Sequence, residues 1–74
     1  MKKLNSILVR ILKIKEHELV DQLTMNDVVL WDSLKHMELI VTIENELEIE
    51  LSAEDIMEMT DVKTIRMVTA RLQD

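Results

Sequence analysis

Leu4, Ile7, Leu8, Ile11 and Leu12 repeat at the spacing of one face of a helix, and the bases between them fall mostly off that stripe. The pattern predicts an amphipathic first helix, with Asn5 its one weak helix former. Lys13 and Lys15 near its end suit the negative pole of the helix dipole. Over residues 15–31 no helical period persists. A connection this long is expected to lie as a strap over the core, packed through Leu19, Val20, Leu23, Met25, Val28, Val29 and Leu30. A second helix should start at Ser33 with Asp32 as its N-cap and run to about Leu47. The Asp32 carboxylate can accept the free N–H groups of the first turn. Leu39, Ile40, Ile43 and Leu47 form its core stripe. Leu34, Met37 and Val41 widen the apolar arc towards another side, and burial is the commoner reason for so wide an arc.

Glu-Ile-Glu-Leu at 48–51 alternates like a strand, but four residues without a partner make no sheet. Ser52 and Asp55 have capping-box spacing and predict a short helix over about 53–58. Thr60 or Asp61 can cap a last helix to about Leu72, with Val62, Ile65, Val68 and Leu72 inward. The expected fold is an all-α four-helix bundle of three longer helices and one short one, with a long loop between the first two. Residues 1–74 should make a single domain.

Composition supports this fold. Glycine and proline are absent, so tight β-hairpins lack their turn residues. Cysteine is absent too, which excludes disulfides and thiolate metal sites and fits a reducing compartment, with the cytoplasm as the expected location. No segment is apolar over a membrane-spanning length.

Charge sharpens the picture of partners. The net charge is −6, but residues 1–15 hold five bases and no acid. The remainder holds four bases and all fifteen acids, and the seven acids from Glu44 to Glu58 have no base among them. Such a surface disfavours nucleic acid and favours basic protein partners. The five N-terminal bases surround one helix without forming a continuous patch for nucleic acid or membrane.

Candidate chemistry is sparse. His36 follows Ser33 by three residues and could neighbour it, but a nucleophile–base pair also needs an orienting group and oxyanion donors. His36 is expected at the surface of the second helix. His17 and Asp21 are only two potential ligands, too few for a closed metal site. Ser33 remains, a serine at the exposed start of the most apolar helix.

Asp-Ser-Leu in that setting resembles the acyl carrier proteins. The resemblance runs from about Leu4 to Leu72 without gaps. "DSLKHMELIVTIENELEIELS" is similar to the family's second helix and following loop, and "TDVKTI" to the start of its last helix. Glu38, Leu39, Glu44 and Leu47 fall where the family places acid, core, acid and core residues.

The resemblance implies that Ser33 is the attachment point of 4′-phosphopantetheine. A phosphopantetheinyl transferase would install the group from coenzyme A with Mg²⁺, and Asp32 would help transferase and metal engage the serine. The terminal thiol would hold cargo as a thioester. Leu34, Met37 and Val41 would give apolar contacts to partner enzymes, and Glu38, Glu44 and Glu48 would meet their basic patches. Those partners would be acyl- or aminoacyl-loading and processing enzymes, served by a monomeric carrier with no catalytic role. Leu30, Lys35 and Leu47 stand where fatty-acid carriers often have Gly, an acid and Phe. Trp31 before Asp-Ser is more similar to stand-alone carriers of polyketide, peptide or envelope-sugar routes. The alternative reading is an unmodified helical module whose acidic face binds a basic partner.

Overall fold

The structure, a computed structural model, describes residues 2–73. Helix α1 spans Lys2–Leu12, α2 Ser33–Leu47, α3 Ala53–Glu58 and α4 Val62–Gln73. Among the described residues there is no strand, only an isolated antiparallel bridge between Thr24 and Asp61. No described helix is long and apolar enough to cross a membrane. The fold is the expected all-α bundle of three longer helices and one short one.

One apolar core joins all four helices. Leu4, Ile7, Leu8 and Leu12 of α1 meet Leu39, Ile40 and Ile43 of α2 and Val62, Ile65 and Val68 of α4. Met59, just after α3, is fully buried among them. Ile11 and Leu47 pack at the edge of this core rather than within it. The last turn of α4 runs past the core, so Leu72 is partly exposed where the period predicted it inward.

The helix ends follow the caps read from the sequence. Asp32 caps α2, Ser52 and Asp55 form a reciprocal capping box on α3, and Asp61 Oδ1 accepts the Thr64 N–H at 2.7 Å. The C-terminal ends are less usual. Lys13 and Glu48 follow α1 and α2 with φ of 55° each, a left-handed conformation normally given to glycine. A chain without glycine meets this turn geometry with side chains that resist it, at about 1–2 kcal/mol per site.

The connection between α1 and α2 is ordered by two single 3₁₀ turns, Glu16–Glu18 and Met25–Asp27. It also completes α4. The first N–H groups of a helix have no partner within it. Here Val62 donates to the Leu23 carbonyl at 2.9 Å and Lys63 to the Asp21 carbonyl at 3.1 Å. Met25 donates back to the Thr60 carbonyl at 3.0 Å, and Arg66 pairs with Asp21 at 2.6 Å. The strap expectation therefore holds for Leu19 and Val28, which are buried, and for Leu23 and Met25, which pack against the core. It fails for Val20, Val29 and Leu30, which face outward. The loop is fixed by backbone bonds to α4, so its remaining apolar side chains need not turn in.

Candidate functional site

The site forms where the loop enters α2. Asp32 has extended backbone angles, and its Oδ1 accepts the Lys35 N–H at 2.8 Å. Its carbonyl accepts the first helical bond, from the His36 N–H at 2.8 Å. Ser33 follows as the first residue of α2, exposed to solvent. The entry angle of the chain is set by the residue before the cap. Trp31 is 2% exposed, and its indole N–H donates to Nδ1 of His36 at 3.0 Å.

His36 is buried, which corrects the expectation that it lies on the surface. Trp31 and His36 occupy the positions before the cap and four residues after it. In many helices two apolar side chains meet there as a hydrophobic staple. Here the staple is an indole and an imidazole, tilted by 31° with centroids 6.1 Å apart and joined by a hydrogen bond. The other ring nitrogen, Nε2, lies 3.0 Å from the Ile56 carbonyl of α3. Both ring nitrogens are thus engaged, and neither is free to act as a base for Ser33. The staple spacing of Trp31, Asp32 and His36 was the available signal for this burial.

Beyond Ser33, α2 exposes apolar side chains. Leu34 is 82% exposed, Met37 49% and Val41 50%, so the wide arc of α2 is not explained by burial. These three lie on the side opposed to Leu39, Ile40 and Ile43, and no element among the described residues covers them. Val29 in the preceding loop and Met57 on α3 add two more exposed apolar side chains. Composition gave no sign that these two would face out.

The charged residues divide. Glu38 is exposed and pairs with Lys35 at 3.0 Å. Glu48 is exposed at the left-handed end of α2. Glu44 is partly buried, and its Oε2 accepts the Leu51 N–H at 2.9 Å. The Glu44 carbonyl accepts from Glu48 and Ile49, so this residue holds the α2–α3 turn at both ends of its own structure. Asp55, capped onto Ser52, has its carboxyl held below the usual range, chiefly by the Ser52 hydrogen bond and further by Arg71 at 2.9 Å. Asp21 is committed to Arg66, and no group of three or more potential metal ligands converges among the described residues.

Comparison with known proteins agrees with this architecture. The family described as "Phosphopantetheine attachment site" matches residues 2–72. A solved holo acyl carrier protein from Geobacter metallireducens superposes with a TM-score of 0.84. It is 24% identical, and the alignment covers 96% of this chain and 82% of that one, a likeness of fold. No curated protein matches the sequence. With the family match spanning nearly its whole length, this chain belongs to the phosphopantetheine-attachment family of carrier domains, and its cofactor is covalently attached 4′-phosphopantetheine.

Proposed function

We propose that Ser33 is the residue that carries the arm, and that the chain presents thioester-bound cargo to partner enzymes. The carrying observation is an exposed serine at the first position of a capped fifteen-residue helix. The residues fit such a group. The hydroxyl stands in solvent, no bulky neighbour covers it, and the positive end of α2 favours a phosphodiester there. When bound, the arm supplies a thiol for the cargo, which this cysteine-free chain lacks.

The chain's own residues orient and present. Asp32 holds the first turn through the Lys35 N–H, which fixes where Ser33 stands. It also offers a carboxylate beside the serine for a transferase and its Mg²⁺. Leu34, Met37 and Val41 form the apolar part of a docking face, supported by their exposure. Glu38 and Glu48 are its acids, open to a partner's basic patch. Glu44 contributes by setting the turn that carries Glu48. Lys35 already pairs with Glu38, so the part of the face nearest Ser33 is close to neutral. Enzymes that dock there rely on apolar contact near the serine and on charge further along. Acyl- or aminoacyl-loading enzymes of a specialised pathway suit that pattern better than standard fatty-acid enzymes. The chain is their substrate and catalyses nothing itself.

Intact mass tests the reading. The protein is incubated with coenzyme A, Mg²⁺ and a broad-specificity phosphopantetheinyl transferase, beside Ser33→Ala. The parent should gain one phosphopantetheine group and the variant none. A parent that gains nothing from several such transferases overturns Ser33 as the site and leaves the unmodified acidic interaction module.

A further inference from the structure

His36 lies beneath the site, yet three hydrogen bonds join it to the segment that presents the serine and to α3. Its backbone N–H donates to the Asp32 carbonyl. Its Nδ1 accepts the Trp31 indole N–H. Its Nε2 faces the Ile56 carbonyl. An indole N–H only donates and a carbonyl only accepts. A single form of the ring satisfies both partners, the neutral imidazole with its proton on Nε2. The Nε2–H then donates to Ile56.

That last bond has a structural purpose. Ile56 belongs to α3, a helix of six residues. So short a helix has no stability of its own, and its last carbonyls lack partners within it. His36 supplies one of those partners. The same ring therefore ties the loop before Ser33, the first turn of α2 and the end of α3.

We infer that His36 is a positioning residue for arm attachment: as the Nε2–H tautomer it locks Trp31 and α3 to the first turn of α2, and so fixes how Ser33 is offered to the transferase. The inference rests on Ser33 as the attachment residue. A misplacement of about 1 Å at a reacting group costs up to about 100-fold in rate. A loosened first turn should therefore appear in kcat for transfer rather than in KM.

Two experiments test it. The first uses the unmodified parent and reads the ring ¹⁵N shifts of His36 and the exchange of the Trp31 indole proton by NMR. The expected result is the Nε2–H tautomer with an indole proton protected about tenfold or more over a solvent-exposed one. An Nδ1–H tautomer, or an indole proton that exchanges freely, overturns the inference. The second measures phosphopantetheine transfer to the parent, His36→Gln and His36→Leu, at a temperature where circular dichroism shows each folded. The glutamine amide offers one acceptor and one donor in place of the two ring nitrogens. Leucine keeps bulk and loses both bonds. His36→Gln should stay within about twofold of the parent, while kcat for His36→Leu falls about tenfold with KM little changed. Parental kcat in folded His36→Leu overturns the positioning role. If His36→Leu does not fold, the NMR readings on the parent decide. A parent that accepts no group at all is a different failure, that of Ser33 as the site.

Discussion

The two ends of α2 are built on opposite terms. At the first end the cap and the side chains around it are matched. Asp32 caps the turn, Trp31 and His36 close the staple, and the Ile56 carbonyl faces the other imidazole nitrogen. At the far end little is matched to helix preference. Glu44, Glu46 and Glu48 crowd the negative pole of the dipole, no base lies in the last turn, and Glu48 is forced into a left-handed conformation. Arg10 of α1 reaches across to Glu46, but both are solvent-exposed and such a pair contributes at most about 1 kcal/mol. The difference teaches where this chain concentrates rigidity. It is tight around the exposed serine that opens α2, and it tolerates a local cost where it displays acids.

The comparison can be broken most forcefully at the tight end. Trp31→Leu removes a buried side chain and leaves the His36 Nδ1 without its donor. Chemical denaturation should show a loss of about 3 kcal/mol. A loss below about 1 kcal/mol would mean that the staple is not a stabilising feature. The loose end should respond in the other direction. Glu48→Gly removes a strained φ and a misplaced negative charge together. It should raise stability by about 1 kcal/mol, less the extra freedom glycine gives the unfolded chain. A destabilised Glu48→Gly would show that Glu48 has a folded-state partner that outweighs its strain.

The smallest effect lies beyond that end, at Asp55. Its carboxyl titrates below the ordinary value of 3.8 in the folded state because of Ser52 first and Arg71 after it. A lowered folded value means that stability from this group is present above the unfolded value and is lost as pH falls through the folded one. Asp55→Asn should therefore flatten the acid limb of the stability curve below about pH 4 and leave the curve above pH 5 parallel to the parent's. An unchanged acid limb would sink this assignment.

Much of this was legible in the sequence because helix caps are local chemistry. Asp32, the Ser52–Asp55 pair and Asp61 each act within four residues, and each marked its helix start. The buried stripes of α1, α2 and α4 followed from spacing alone, apart from Leu72 and from Ile11 and Leu47 at the edge of the core. What could not be read depends on distant partners. The contacts of Asp21, Leu23 and Met25 with the start of α4 join segments far apart in the chain, and no local pattern encodes them. Whether Val29 and Leu34 face in or out depends on which elements cover them, and apolar composition alone is silent on that. His36 is the instructive case. Its burial was encoded locally, by the staple spacing to Trp31, but staple partners are usually apolar and a histidine in that place looks like a surface residue.

Trp31 is the chain's only aromatic residue of the Phe, Tyr and Trp kind. All near-ultraviolet fluorescence of the protein thus comes from one ring, two residues from Ser33, hydrogen-bonded to an imidazole and shielded from water. The molecule carries its own optical gauge of the turn that opens α2. Emission wavelength and intensity, read without any label, follow the state of the one turn that holds Ser33.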